Sequence, residues 1–308
     1  MLLLYVVIAS VILIAALIWC LNFISVTYVE LYEKGLDAYK KRDYKRARNM
    51  FLRSISKNPD FVEGKYNLGL AYLSLEEYEK AKEYFEQVLE ETPDDFSTLF
   101  NLALTCQLDE LYDEALEVYQ KAILIEPQDV DCYINIAVIH FEKKDFQKSI
   151  EYLVMARDIS PDKTEILFSI IRCKDEMCNY ENDDEITAIL EEYESLMERP
   201  DLPSDFDFAI AKAYAKAGKL DESIEKCALV VEKEYFNDEA YSLLGLLQLL
   251  KKDAGNARNS IQRAIDIEPD APENYNLLSY VFLLEENADE FNKMKIKYKN
   301  IAFAAKAI

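Results

Sequence analysis

Acid–base chemistry would fall to His140, the only histidine in this 308-residue chain. The apolar spacing around it places it on the inward side of a helix, and no serine or cysteine stands where spacing would pair it with a nucleophile. The six cysteines lack the close paired spacing of a disulfide framework or a zinc site. Cys173 and Cys178 stand five apart, which directs them to different sides of a helix. All six read as small apolar side chains, with Cys20 in the N-terminal apolar run. Six glycines leave too few for a phosphate-cradling loop or a dinucleotide turn. The acidic stretch Glu181-Asn182-Asp183-Asp184-Glu185 lacks the glycine and ligand spacing of a calcium loop, and Asn179 to Asp184 reads as a solvated loop. No catalytic, metal or cofactor site is expected, so function should lie in binding.

Composition bounds the elements that could build such a surface. With 51% hydrophobic and 30% charged residues, the chain is neither disordered nor fibrous, and eight prolines with six glycines favour helix. The net charge of -23 is uneven. Residues 28–61 hold nine Lys/Arg against five acids, net +4, which leaves -27 for the rest. The first segment suits an anionic surface; the acidic body disfavours nucleic acid, whose phosphates need the opposite sign.

Met1 to Val26 carries no charged side chain, and Ser10 is the only polar residue up to Leu21. About 21 residues at roughly 1.5 Å each reach about 31 Å, enough for a hydrocarbon core of about 30 Å. Trp19 and Tyr28 sit where amphipathic rings favour the headgroup layer. A cleaved secretory signal would want a basic start and a shorter apolar core, and bulky Trp19 before Cys20 argues against lipoprotein processing. Residues 1–26 are therefore expected to form a retained transmembrane anchor. Lys34, Lys40, Lys41, Arg42, Lys45 and Arg46 follow it closely, which predicts a cytoplasmic C-terminal region.

The rest of the chain repeats. Pro59, Pro93, Pro127 and Pro161 stand 34 apart. Ahead of each runs the same order: a small residue at Gly35, Gly69, Ala103 and Ala137, then an aromatic at Tyr44, Tyr78, Tyr112 and Phe146. A second small position follows at Ala47, Ala81, Ala115 and Ser149, then Phe51, Phe85, Tyr119 and Leu153. Small residues let two antiparallel helices approach, the larger ones fill the gaps, and proline ends each second helix. This register resembles the tetratricopeptide repeat family over most of residues 28–298. The resemblance implies an all-α solenoid, a right-handed superhelix of helix-turn-helix repeats, stacked because one hairpin cannot bury both its faces.

Later units are less regular. Tyr214, Gly218, Leu220 and Ser223 mark a sixth, with Tyr235 in the proline position; Tyr241, Gly245, Ala257, Ile261, Ala264 and Pro269 mark a seventh. Tyr275, Leu278 and Phe282 begin an eighth, whose polar second helix, about 288–298, would cap the array; 301–308 reads as a short helix or a tail. The fifth is longest, with 39 residues from Pro161 to Pro200 and a break at Arg199-Pro200-Asp201-Leu202-Pro203. The expected division is an anchor over 1–26, repeats 1–4 over 28–163, a degenerate fifth repeat over 164–203, and repeats 6–8 with a cap over 204–308.

In the family the resemblance points to, first-helix positions two, five, nine, twelve and thirteen line a ligand groove. Carried over, position five is Tyr32, Tyr66, Phe100, Ile134, Phe168 and Phe208. Position nine is Leu36, Leu70, Leu104, Val138, Arg172, Lys212 and Leu246. Leucine or valine at position nine through four repeats departs from the family's frequent asparagine and makes the groove apolar. The Lys/Asn/Arg clamp by which some relatives hold a C-terminal carboxylate is missing at Leu70, Leu104, Asp131 and Val138. With acids at position two (Glu63, Asp131, Glu165, Asp205, Glu239), the groove suits a protein or peptide partner, an amphipathic helix with a basic flank. The alternative reading is that these leucines pack between repeats or are covered by the chain's own tail. The expected function is a membrane-tethered scaffold at a bacterial inner membrane, with the array cytoplasmic and no enzymatic activity of its own. Two alternatives stand beside it: an adaptor delivering clients to a membrane protease or envelope-biogenesis enzyme, and an array outside the cytoplasm organising envelope components.

Overall fold

The computed structural model describes residues 28–234 and 236–305. The expected anchor, residues 1–26, and Tyr235 lie outside the described residues. Within them every element is a helix, and none is long and apolar enough to cross a membrane. The chain divides into two compact units at Ile159. Unit 1 holds α1 (28–40), α2 (Tyr44–Lys57), α3 (Val62–Leu73), α4 (Tyr78–Glu91), α5 (Phe96–Leu108), α6 (Tyr112–Ile125), α7 (Val130–Glu142) and α8 (Phe146–Ile159). Unit 2 holds α9 (Thr164–Met177), α10 (Asp183–Leu196), α11 (Phe206–Lys216), α12 (Leu220–Lys233), α13 (Asp238–Leu250), α14 (Ala254–Ile267), α15 (Pro272–Leu284) and α16 (Ala288–Ala305).

Local chemistry fixes both ends of these helices. Asp43, Asp95, Asp129 and Asp253 cap α2, α5, α7 and α14 by accepting a backbone N–H three residues on. Each proline of the 34-residue series stands just past the end of α2, α4, α6 or α8, where it blocks continuation. The turn inside every hairpin but that of α9 and α10 uses a left-handed residue: Arg42, Glu76, Glu110 and Lys144 in unit 1, and Gly218, Lys252 and Glu286 in unit 2, with φ between 56° and 73°. The following N–H closes back on the helix, as Glu77 does onto the Tyr72 carbonyl at 3.0 Å. Only the sixth repeat uses the glycine this conformation favours.

Packing follows the small–large register. Phe51, Phe85, Tyr119 and Leu153 are all but completely buried. Opposite them, a Cβ at Gly35 would come within 2.5 Å of Phe51, and one at Gly69 within 2.7 Å of Phe85. Burying each such ring is worth about 1.5–3 kcal/mol, which makes the second-helix aromatics the main apolar anchors of unit 1. In unit 2 the corresponding centre is Phe168, Tyr193, Phe206 and Ile210. First helices adjoin one another as well as their own partners: α3 meets α5 and α5 meets α7, while α9, α11, α13 and α15 succeed one another.

Three expectations change. The acidic loop is shorter than Asn179 to Asp184, because Asn182 caps α10 and Asp183 and Asp184 form its first turn, where negative charge is favoured. The last helix runs to Ala305, well past 298, since Met294, Tyr298 and Ile301 keep an inward face along it. Cys178 sits half-buried in the loop after α9, whereas Cys106, Cys132, Cys173 and Cys227 are buried.

Candidate functional site

The first helices of unit 1 set a row of position-five residues over the second-helix aromatics. Tyr32 lies 5.7 Å from Phe51, Tyr66 lies 5.9 Å from Phe85, and Phe100 lies 5.9 Å from Tyr119. Each outer ring is half-buried, so one face rests on the core and the edge reaches solvent. Beside them Leu36, Leu70 and Leu104 are half-buried, as is Ile134, and Val138 is 40% exposed. Position nine therefore continues as an apolar row along α1, α3, α5 and α7.

Asparagines link this row, and they were not among the residues singled out in the sequence. Asn67 Nδ2 donates to Tyr32 Oη at 3.0 Å and to the Glu63 carbonyl at 2.8 Å. Asn101 repeats the motif, donating to Tyr66 Oη at 3.0 Å and to the Ser97 carbonyl at 2.7 Å. Because a carbonyl only accepts, the atom facing it must be the amide nitrogen, which fixes both amide orientations. The 34-residue interval from Asn67 to Asn101 was the available sequence signal. Burial, then the Glu63 carboxylate, raises the Tyr32 phenol above its ordinary range; burial, then Asp95, does the same for Tyr66.

Between these helices lies a cavity of about 320 Å³, lined by Tyr32, Glu63, Tyr66, Asn67, Asp95 and Ser97 among others, with no cationic side chain in its wall. Asp95 spends part of its carboxylate on Thr98, accepting from its N–H and its hydroxyl. Glu63 is exposed beside it.

Unit 2 treats the same positions differently. Phe168 is 2% exposed and packs 5.5 Å from Phe206, so it is a core residue and cannot line an open surface. Arg172 lies over its ring at 5.7 Å and reaches Asp205 at 3.2 Å. Phe208 is half-buried with the Lys212 ammonium 4.6 Å above its ring. Leu246 and Tyr280 are 37% and 44% exposed, and Lys295 of α16 sits 4.3 Å over the Tyr280 ring.

His140 is 8% exposed and stacked on Tyr152 at 5.5 Å. Burial lowers its pKa, so the ring is neutral at pH 7, and its Nδ1 stands 3.9 Å from Asp145, beyond hydrogen-bond reach. Burial likewise pushes the Cys106 thiol up to about 11 and that of Cys227 up to about 12, which keeps both protonated and apolar in behaviour. Among the described residues no group of three or more His, Cys, Asp or Glu is placed to hold a metal ion.

An all-α helical repeat solenoid with a register of 34 residues defines the class of protein. The chain matches the tetratricopeptide repeat profile over residues 32–96, 67–130 and 208–272, and a second tetratricopeptide repeat profile over 130–162. It belongs to the tetratricopeptide repeat family, a fold consistent with a protein-interaction scaffold. No curated protein matches the chain. Among solved structures it is similar to a tetratricopeptide repeat protein from Parabacteroides merdae, with TM-score 0.66 and 17% identity over 83% of this chain and 98% of that one. It is also similar to a chain of the APC/C hetero-tetramer Cut9–Hcn1, with TM-score 0.62 and 16% identity over 82% of this chain, which spans 48% of that one. At these identities the likeness is one of fold.

Proposed function

We propose that this chain is a membrane-tethered adaptor that holds a partner protein against the first-helix face of unit 1. The lining residues are Tyr32, Leu36, Tyr66, Leu70, Phe100, Leu104, Ile134 and Val138. The occupant is the apolar face of an amphipathic helix with a basic flank. The observation that carries this reading is the unbroken Leu/Val row at position nine, partly open to solvent, beside exposed Glu63 and Asp131. In unit 2 only Phe208 of the expected position-five residues keeps a solvent-facing edge.

The uncharged run from Met1 to Val26 supplies the tether, and the basic residues after it favour a cytoplasmic array at a bacterial inner membrane. Confinement to a surface raises the effective concentration of whatever docks there, so a modest groove affinity suffices. The test is a crosslinked pull-down with the full chain and its Leu70→Asn/Leu104→Asn double variant. Removing two leucine contacts at about 1.5–3 kcal/mol each should abolish capture. Both residues are half-buried at the helix surface, so far-UV circular dichroism should be unchanged. Capture that survives the double substitution refutes the groove. A cytoplasm-dependent reporter fused after Ile308 should be active; activity only from an export-dependent reporter would reverse the topology and favour an envelope organiser.

A further inference from the structure

The cavity at the edge of the apolar row is one-sided in charge. Asn67 spends both amide protons, on Tyr32 and on the Glu63 carbonyl, and so turns only its carbonyl oxygen to a ligand. Asn101 is committed in the same way one repeat on. The remaining polar groups are the Glu63 and Asp95 carboxylates, the two phenols and the hydroxyls of Thr92, Ser97 and Thr98, of which Thr92 donates to the Val88 carbonyl and Thr98 to Asp95. Neither carboxylate has a lysine or arginine within ion-pairing distance among the described residues. The wall thus carries negative charge and no cation beside two aromatic edges, and Val62 adds an apolar side.

A ligand matched to the two carboxylates and the aromatic edges has a positive charge, several donors and a flat face. Guanidinium carries five N–H donors on a plane that stacks on aromatic rings, and its methylene stem packs on apolar surface. A cavity of about 320 Å³ admits such a head and stem. We propose that this cavity between α1, α3 and α5 is a pocket for one arginine side chain on the flank of the docked helix, which fixes that helix's register on unit 1. The proposal rests on the groove reading above and deepens it by naming the chemistry of the flank.

The experiment uses the full chain in detergent and two designed probes: a 16-residue amphipathic helix of Leu, Ala and Gln bearing a single arginine, and the same peptide with neutral citrulline. Fluorescence anisotropy at low salt should give about tenfold tighter binding of the arginine peptide, as a charge-assisted contact is lost in its twin. The preference should shrink with added salt. Glu63→Gln with Asp95→Asn should erase it, bringing the arginine peptide to the affinity of its citrulline twin, and asparagine still caps α5. Leu70→Asn/Leu104→Asn should lose both peptides. Equal affinity for the two probes overturns the arginine pocket and leaves the groove standing, as does a preference that survives the Glu63/Asp95 pair. Failure of both peptides to bind the unaltered chain overturns groove and pocket together.

Discussion

In unit 1 the ninth residue of each first helix is Leu36, Leu70, Leu104 or Val138, whereas the first two first helices of unit 2 carry Arg172 and Lys212 there. One helical turn separates position five from position nine, so the ninth side chain stands over the fifth. Where it is aliphatic, the aromatic edge and the aliphatic row form a continuous apolar strip. Where it is cationic, it lies over the ring, 5.7 Å from Phe168 and 4.6 Å from Phe208, an arrangement worth about 0.5–2 kcal/mol. An aromatic stripe is therefore not by itself a docking surface: the cation four places on covers part of the Phe208 face, and Phe168 is in addition enclosed by Tyr193 and Phe206. The cavities follow the same division. That of unit 1 has no cation in its wall, while that beside Phe208 includes Lys233 among its acids, and Lys233 is already paired with Asp207 at 2.7 Å.

The largest effect should come from the polar centre of unit 2. Asp175 of α9 is 7% exposed and accepts hydrogen bonds from Tyr180, from Tyr193 at 3.4 Å and from Lys216 at 3.3 Å. At the equivalent position unit 1 places Tyr39, Leu73, Gln107 and Phe141, none of which carries a charge. Asp175→Ala would leave two phenols and an ammonium around an empty space, and should destabilise the chain by about 3 kcal/mol in urea unfolding. A loss below about 1 kcal/mol would mean that water substitutes for the carboxylate, and the contrast between the two units would dissolve.

A second, smaller effect tests the rule of the ninth residue directly. Leu70→Lys with Leu104→Lys imports the unit 2 pattern and should roof Tyr66 and Phe100 as Lys212 roofs Phe208. Binding of the citrulline peptide should fall about tenfold or more by anisotropy, while the cost to stability stays below that of Asp175→Ala because both leucines are only half-buried. If affinity holds, the aromatic edges carry the interaction alone, and the leucine row is only packing between repeats.

How much of this was readable before the coordinates depends on range. The proline interval, the small–large alternation and the helical hairpins were legible because they are local and repeat at 34 residues, so each unit confirms the next. The surroundings of position five were not. Phe168 and Phe100 look alike in sequence, yet Phe168 is enclosed by Tyr193 and Phe206, contributed by α10 and α11 after the lengthened fifth repeat. The hairpin turns were hidden for another reason. Arg42, Glu76, Glu110 and Lys144 carry no glycine signal, and their left-handed conformation is held by backbone bonds to the preceding helix. The asparagine ladder lay in plain view at Asn67 and Asn101, but its meaning needs the tyrosine of the previous repeat.

That ladder supplies the finest test, because it stops within unit 1. Asn67 meets Tyr32 and Asn101 meets Tyr66, but Asn135 stands 35 residues after Phe100, which has no hydroxyl to accept its bond. Phe100→Tyr should extend the ladder by one rung and stabilise the chain by about 0.5–1 kcal/mol, the net worth of one ordinary hydrogen bond. The ring keeps its contact with Tyr119 at 5.9 Å, and its half-buried edge gives the new oxygen room. A double-mutant cycle with Asn135→Ala isolates the rung from any change in packing. Coupling of about that size would show that the first-helix spacing of repeats 1 to 3 carries through to α7. Coupling near zero would place the limit of the polar edge between α5 and α7, and with it the end of the surface that can fix a partner's register.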